Sequence, residues 1–261
     1  LQPTCRLRPR ATTTMSQEIR AAEQGTGKRC ASRPKLLDCH THSQELCCQA
    51  IRSLTYAEWG DDATIEEGQL YSIGYHPWSL PPEKSLTPLI DQMQRRLASA
   101  PQIVAIGECG IDKVRSNATL SQQLVWLEAQ MRLACQLQRP ILLHTVRAWA
   151  EMIEVRSQMA QEFAQLPPMV LHGFRARGEV AQMMLSKGFA LSFGRRYDAE
   201  ALHLAYEAKA LLVETDEIPN GLTHQKAIEA IYAHIAEELA TTPEVLASQV
   251  AQTPFWQQIE C

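Results

Sequence analysis

Six side chains of the kinds that hold divalent metal ions come at or directly after short apolar runs of this 261-residue sequence. They are His40, His42, Glu108, His144, His172 and Asp216. Residues i and i+2 of an extended segment face the same way, so both imidazoles of His40 and His42 can point at one place. A set of imidazole and carboxylate ligands suits Zn²⁺, Mn²⁺ or Fe²⁺, and also Mg²⁺ where fewer histidines take part.

Each of these residues has an ordinary structural explanation when it is taken alone. A His-X-His sequence is common by chance, His144 is compatible with a core histidine, Asp216 with a helix cap and Glu108 with a structural ion pair. The joint arrangement favours a site, because four separate apolar runs each lead into a ligand-type residue in addition to the His-X-His pair.

The apolar runs are nearly continuous in hydrophobicity, which is typical of parallel strands covered on both faces. The predicted strands are 36–38, 49–54, 70–75, 102–107, 140–143, 168–171, 189–193 and 210–214. Helical patterns separate most of them, at 120–137, 180–187, 199–208 and 227–239. Eight strands alternating with helices predict an α/β fold, a TIM-type (β/α)8 barrel in which all carboxyl strand ends meet at one mouth.

The first third of the chain departs from this pattern. The first two predicted strands are separated by fewer residues than the dozen or more that a parallel crossover usually needs. No clear helical pattern lies between residues 54 and 70. The sequence therefore predicts either a barrel that lacks its first outer helices or an incomplete barrel.

Residues 1–34 are rich in Arg, Thr, Ser and Gln and poor in large apolar side chains. This composition predicts a disordered N-terminal extension, or translated upstream sequence ahead of Met15, with the hydrolase barrel in residues 35–261. A transit peptide is a weaker alternative, suggested by four arginines with a single acidic residue before Ala21.

Charge is divided unevenly along the chain. Residues 1–35 hold eight Lys or Arg and two Glu, so the remainder carries 17 basic and 27 acidic side chains, a net charge of −10. That balance argues against a broad electrostatic grip on nucleic acid. The chain has no apolar run near the ~18 residues of a membrane span, so no membrane partner is expected. Eight cysteines without CxxC spacing predict reduced thiols and a cytoplasmic location.

Six segments, in order, resemble the motifs of the TatD family of metal-dependent deoxyribonucleases. They read Leu-Asp-Cys-His-Thr-His at 37–42, Ile-Gly-Tyr-His-Pro-Trp at 73–78, Ala-Ile-Gly-Glu-Cys-Gly-Ile-Asp at 105–112, Pro-Ile-Leu-Leu-His at 140–144, Leu-His-Gly-Phe at 171–174 and Glu-Thr-Asp at 214–216. The resemblance covers residues 36 to about 220. It implies an amidohydrolase-like barrel with a site for two divalent metal ions, Mg²⁺, Mn²⁺ or Zn²⁺.

The resemblance also implies roles for individual residues. One metal ion would be held by His40, His42 and Asp216, the second by His144 and His172, and Glu108 would bridge the two. His76 would contact the substrate phosphate.

The chemistry of the side chains themselves suggests further roles. Asp216 is the best general base and, with Glu108, a predicted catalytic residue. Arg175, or with less support Arg147, suits a non-bridging phosphate oxygen because a guanidinium matches phosphate bidentately. Trp78 either stacks a base or packs.

Four departures from the family pattern concern substrate placement. The long helical stretch after the first motif is missing, and the fifth-strand histidine is followed by arginine three residues on, at Arg147, instead of two. The segment after His172 reads Gly-Phe-Arg-Ala in place of Cys-Phe-Ser-Gly, and the segment after Asp216 reads Glu-Ile-Pro-Asn. The ligand-type residues are all retained.

The predicted function is therefore a metal-dependent hydrolase that cleaves DNA phosphodiesters through a metal-activated water, acting exonuclease-like on DNA ends or short oligonucleotides. One alternative is a carbonyl hydrolase acting on an ester, lactone or aminoacyl ester, although Glu108 stands where many such enzymes of the superfamily carry a modified Lys. The other is a degenerate barrel kept as a binding protein. No obligate protein partner is evident.

Three residues outside the predicted ligand set are expected to be structural. Cys39 and Cys109 neighbour proposed ligands and should point away from the mouth into the packing. His224 follows the loop after the last predicted strand and could approach the site, although a solvated loop is the stronger expectation.

Overall fold

A computed structural model describes residues 35–59 and 65–260 of the chain. Eight strands form one sheet in sequence order, and every neighbouring pair is parallel. The strands are β1 (Leu37–Thr41), β2 (Gln49–Leu54), β3 (Leu70–Ile73), β4 (Ile103–Asp112), β5 (Ile141–Val146), β6 (Met169–Leu171), β7 (Ala190–Phe193) and β8 (Leu211–Val213). Each predicted strand is present.

The sheet curls until its last strand meets its first. Thr41 at the end of β1 forms a parallel bridge with Asp216, just beyond β8. The backbone N–H of Asp216 donates to the carbonyl of His40 at 3.0 Å, and the N–H of His42 donates to the carbonyl of Asp216 at 3.2 Å. The predicted TIM-type barrel is confirmed, and its seam runs between the His-X-His pair and Asp216.

In the described residues, helices follow seven of the strands and form the outer layer, with two more at the carboxyl end. They are α1 (Tyr56–Trp59), α2 (Leu86–Ser99), α3 (Leu120–Leu137), α4 (Trp149–Glu162), α5 (Gly178–Ser186), α6 (Ala199–Glu207), α7 (His224–Glu238), α8 (Pro243–Ala251) and α9 (Pro254–Glu260). Local sequence starts them: Thr119 and Gln122 form a reciprocal capping box on α3, and Thr223 caps α7.

The first link of the barrel is short. Residues 42–48 join β1 to β2 without a helix. Seven extended residues reach about 23 Å, which is enough to return along a strand of this length and too little to wind a helix on the way. The predicted loss of the first outer helix is thus confirmed for this link. After β2 the described residues form only the single turn α1.

The carboxyl ends of three strands differ from the sequence prediction. His40, Glu108 and His144 lie inside β1, β4 and β5 rather than after them. In β4 the polar residues interrupt the apolar run but not the ladder, because Gly110 pairs with His144. Gly110 has a φ of +154°, and a Cβ there would collide with the backbone of His144. Glycine at this position therefore allows the two strands to approach closely.

The core lies between the barrel and the helices, with fully buried side chains such as Trp126 of α3, Met152 of α4 and Tyr232 of α7. Tyr232 also donates its hydroxyl to the carbonyl of Leu37 at 2.9 Å, which ties α7 to β1. No helix in the described part of the chain is long and apolar enough to cross a bilayer. The predicted disordered extension, 1–34, lies outside the described residues.

Candidate metal centre at the barrel mouth

The Glu108 carboxylate occupies the centre of a ring of imidazoles. Its oxygens lie 2.8 Å from His172 Nε2, 3.0 Å from His42 Nε2 and 3.4 Å from His40 Nε2. His144 Nδ1 and His76 Nε2 are slightly farther, at 3.6 and 3.7 Å. The other predicted acid closes the ring, because Asp216 Oδ1 lies 3.5 Å from His40 Nε2 and 4.0 Å from His42 Nε2. The structure therefore brings all six predicted ligand residues, and His76, to one place.

His40 is held from behind by two serines. Its Nδ1 lies 2.9 Å from the hydroxyl of Ser53 on β2, and that hydroxyl is 2.7 Å from the hydroxyl of Ser72 on β3. The ring is fully buried, and its Nε2 makes no hydrogen bond among the described residues. The hydroxyl chain orients the ring, so that the unpartnered nitrogen faces the two carboxylates, as a metal ligand would.

Two more buried polar atoms at the mouth lack a hydrogen bond among the described residues, His172 Nδ1 and Glu214 Oε2, which are 3.9 Å apart. Unpaired buried polar groups cost roughly 1–3 kcal/mol each and are uncommon, so several in one place call for a missing partner. Nitrogen and carboxylate oxygen are donors that divalent metal ions accept. The residues present therefore fit a metal centre.

Four overlapping groups of donor atoms each lie within 4.8 Å of one another. They are His40–His42–Asp216, His40–Glu108–His172, His76–Glu108–His144 and His172–Glu214–Asp216. The first is the set predicted for one metal ion. The residues predicted for the second metal ion also lie together, because His144 Nδ1 is 3.1 Å from His172 Nε2 and both nitrogens lie within 3.6 Å of Glu108.

Charge alternates across the cluster. Burial opposes ionisation of Glu108, but the imidazoles of His40 and His172 outweigh it and hold the pKa of the carboxyl well below its usual range. Burial likewise disfavours a charged His172, yet Glu108 and the other acids raise its pKa from 6.5 to about 9. Partial burial also opposes ionisation of Asp216, but its contact with His40 lowers its pKa to about 2. In the metal-free protein both acids are ionised at neutral pH and His172 carries a proton.

His76 belongs to the same cluster, but its pKa is lowered whereas that of His172 is raised. Burial lowers its pKa to about 4, against the opposing pull of Glu108. The backbone N–H of Trp78 donates to its Nδ1 at 3.2 Å, which leaves Nε2 as the hydrogen-bearing nitrogen facing the mouth. A neutral donor in this position is compatible with the predicted phosphate contact.

Asp112, at the end of β4, belongs to the cluster at the mouth, although the sequence analysis did not single it out. Its Oδ2 accepts from Trp78 Nε1 at 2.6 Å and lies 3.3 Å from His144 Nε2. Burial is outweighed by these hydrogen bonds, which lower its pKa to about 2. The carboxylate fixes the proton of His144 on Nε2 and turns Nδ1 toward Glu108, an arrangement common behind metal-bound histidines. Its place at the end of the motif at 105–112 was the available signal.

Glu214 was also missed, although it begins the Glu-Thr-Asp motif. It follows β8 directly and is buried, and one of its oxygens accepts from the N–H of Gly173 at 2.6 Å. Burial raises its pKa. This buried acid, two residues before Asp216, adds a carboxylate that could bind a metal ion at the seam of the barrel.

A cavity of about 880 Å³ opens above this cluster.

A family model described as TatD related DNase matches residues 16–255, which is most of the chain. The chain belongs to the TatD-related DNase family. The recognised resemblance is thereby confirmed, and the match extends beyond the motif-bearing residues in both directions.

Individual TatD-family relatives agree. Over 155 residues the chain is 32% identical to the 3′-5′ ssDNA/RNA exonuclease TatD of Citrobacter koseri, covering 55% of this chain and 58% of that protein. The protein of the same description from Cronobacter turicensis is 34% identical over 143 residues, 51% of this chain and 53% of that one. The matched region thus spans little more than half the length of these relatives.

A solved TatD homologue from Escherichia coli K12, YjjV, has the same fold. It superposes with a TM-score of 0.64 at 22% sequence identity, over 80% of this chain and 86% of that one.

The side chains around the mouth of this TatD-family barrel include three arginines and an exposed aromatic ring. Arg175 Nη2 lies 4.0 Å from Asp216 Oδ2, and Arg147 lines the cavity from a left-handed backbone conformation, φ +54°. Trp78 is 45% exposed, with the guanidinium of Arg115 5.3 Å from its ring centre. Trp78 packs through its indole N–H on Asp112 and also presents apolar surface to the cavity.

Proposed function

We propose that the chain is a metal-dependent phosphodiesterase that shortens single-stranded DNA or RNA from an end. The observation that carries this proposal is the Glu108 carboxylate within 3.7 Å of five imidazoles, beside three buried nitrogen and oxygen atoms that have no hydrogen-bond partner among the described residues. The exonuclease activity named for the relatives supports the choice of a nucleic acid strand as substrate.

The six predicted ligands would hold two divalent metal ions, Mg²⁺, Mn²⁺ or Zn²⁺, between Glu108 and the surrounding residues. When bound, such ions act as Lewis acids on a phosphoryl oxygen and provide a nucleophilic water at neutral pH. Glu214 is a further metal ligand within reach of the same positions.

Asp216 is placed to move the proton. Its Oδ1 faces the imidazoles of His40 and His42, whereas its Oδ2 faces the cavity, 4.0 Å from Arg175. The low pKa of Asp216, about 2, keeps Oδ2 unprotonated and able to accept a proton from the attacking water. Its φ of +51° places it in the left-handed region, which Asp and Asn tolerate better than most residues.

The substrate phosphate would lie between His76 and the arginines of the rim. His76 is a neutral donor on one side, and Arg175 offers a bidentate guanidinium on the other. Trp78 provides an apolar face on which the neighbouring base can stack. Because residues 36–261 carry a net charge of −10, attraction for a polyanion is local to this rim, which favours a strand end over a long duplex.

The test compares linear single-stranded DNA, linear RNA and closed-circular single-stranded DNA of one sequence, with Mg²⁺, Mn²⁺ or Zn²⁺. We expect mononucleotides released from the linear strands and no cut in the circle. Asp216→Asn should abolish turnover while keeping the fold, and excess chelator should have the same effect. Asp91→Asn, the same chemical change on the exposed face of α2, is the matched control and should leave turnover unchanged.

Three results contradict the proposal. Equal cleavage of circle and linear strand would mean internal cutting. Full activity in excess chelator would remove the metal ions from the reaction. Hydrolysis of an ester or an aminoacyl-tRNA without strand cleavage would assign the same metal-type cluster to a carbonyl hydrolase.

A further inference from the structure

A second group of metal-type side chains shares no residue with the cluster at the barrel mouth. Cys47 and Cys48 lie in the helix-free link 42–48, and His224 is the first residue of α7. The two Sγ atoms and an imidazole nitrogen of His224 all lie within 4.8 Å of one another. Cys47 Sγ is 3.2 Å from His224 Nδ1. Residues 177 positions apart in the sequence are thus in direct contact.

His224 is not in a solvated loop as the sequence suggested, because only 3% of it is exposed. Its Nε2 lies 2.9 Å from Oδ2 of Asp38, which is itself fully buried. The other oxygen of Asp38 accepts from the backbone N–H groups of His40 and Thr215, at 3.2 and 3.1 Å. The carboxylate is therefore held in place from two strands, and it holds the imidazole in turn.

The contact with Asp38 decides which ring nitrogen of His224 carries the proton. An ionised carboxylate only accepts hydrogen bonds, so the proton of a neutral His224 lies on Nε2. The unprotonated Nδ1 then faces Cys47, with the Sγ atom at 3.2 Å and the backbone N–H donating to it weakly at 3.4 Å. A histidine that donates one ring N–H to a carboxylate and offers the other nitrogen is the usual state of a metal-bound histidine, with the carboxylate fixing the ring.

From this geometry we propose that Cys47, Cys48 and His224 bind a thiophilic metal ion of the Zn²⁺ class, at a site separate from the mouth. Two thiolates and one imidazole select Zn²⁺ or Cu⁺ over Mg²⁺, Mn²⁺ and Ca²⁺. Binding releases both thiol protons to solvent. Cys47 is exposed, so the fourth position of a tetrahedral ion is open to water on that side.

The place of the site indicates its role. In the link 42–48, where other barrel units have a helix, the chain is secured by short-range contacts such as the Ser43 N–H to Thr41 Oγ1 bond at 3.2 Å. A metal ion joining this link to α7 would fasten it to the outer layer. We therefore expect the ion to stabilise the fold rather than to take part in hydrolysis.

Cobalt titration of the full chain, kept reduced with a phosphine, tests the proposal. Co²⁺ bound to thiolates gives intense sulfur-to-metal charge-transfer absorption in the near ultraviolet, which nitrogen and oxygen ligands do not. We expect this absorption in the unchanged chain and in Glu108→Gln, which alters only the mouth. The double variant Cys47→Ser/Cys48→Ser should lose it and should bind one equivalent of Zn²⁺ fewer by elemental analysis.

Cys135→Ala, a cysteine of α3 remote from the cluster, is the control and should keep the charge-transfer absorption. Zn²⁺ should raise the melting temperature of Glu108→Gln by more than that of Glu108→Gln carrying both serines. Absence of the charge-transfer absorption in the unchanged, fully reduced chain overturns the proposal, and so does its persistence in the double variant. If the double variant does not fold, Cys47→Ser alone, at an exposed position, must still weaken Co²⁺ binding and diminish the absorption.

Discussion

Replacing Glu108 with glutamine removes one negative charge from the middle of the imidazole ring without changing its shape. The shortest contact of the Glu108 carboxylate is with Nε2 of His172, at 2.8 Å. In the metal-free protein the pKa of His172 is raised from 6.5 to about 9, with Glu108 the main cause acting against burial. A shift of that size corresponds to about 3 kcal/mol of stability. We therefore expect the free energy of unfolding of metal-free Glu108→Gln to be about 2–3 kcal/mol lower than that of the unchanged chain.

The shifted pKa values of His172 and Glu108 set the pH range in which this loss of stability should be seen. Because the folded pKa of His172 lies above the unfolded one, its stabilisation is complete below pH 6.5 and is lost as the pH rises through about 9. The pKa of Glu108 is lowered, so on the acid side its contribution fades as the pH falls below 4.5. The difference between the two proteins should be largest between these limits and should disappear in alkali.

The assay is urea denaturation of chelator-treated protein at about pH 6 and at about pH 10, since urea does not screen charges as guanidinium does. Glu207→Gln, the same change at an exposed position of α6, is the control and should alter stability by no more than about 0.5 kcal/mol. An equal loss for Glu108→Gln at both pH values, or no loss at about pH 6, would refute the assignment of a charged pair to Glu108 and His172.

Three further substitutions address the metal ions and the substrate. Ser53→Ala frees the back of the His40 ring and should weaken metal affinity about 10- to 100-fold, read by chelator competition; unchanged affinity would show that the serine does not orient the ligand. Trp78→Ala should raise KM on single strands by a factor that corresponds to about 1–3 kcal/mol if a base stacks there, whereas a loss confined to kcat would mean that the ring acts only through Asp112. Arg175→Ala should raise KM and make the salt dependence of binding shallower, and an unchanged salt dependence would mean that Arg175 does not contact phosphate.

The barrel could be predicted from sequence because its strands are short apolar runs, buried on both faces, with polar residues at their ends. The same rule misplaced the ends of β4 and β5, since a polar residue that points into the mouth looks like the end of a strand. Glu108 and His144 are such residues, yet both remain in the ladder. Only the pairing of Gly110 with His144, seen in three dimensions, shows that the strands continue.

The convergence of the six ligand-type residues also followed from topology, because carboxyl ends of parallel strands in a barrel meet. What could not be predicted is which residues stand behind them. Asp112 and Glu214 lie in motifs that were recognised, but their importance depends on burial and on the histidine that each of them contacts. His224 was misjudged for the same reason: the partner that buries it, Asp38, is 186 positions away.

The ligand cluster can stay intact without the first outer helix because the inner strands, not the outer layer, position its side chains. His40 is positioned by serines of β2 and β3, and its carbonyl is bonded by the N–H of Asp216 at the seam with β8. None of these contacts comes from the outer layer between β1 and β2. Loss of that helix therefore costs buried area around the first link, which lowers stability, while the geometry at the mouth is maintained by the inner strands alone. The link itself then needs another attachment, and it is in this link that Cys47 and Cys48 meet His224.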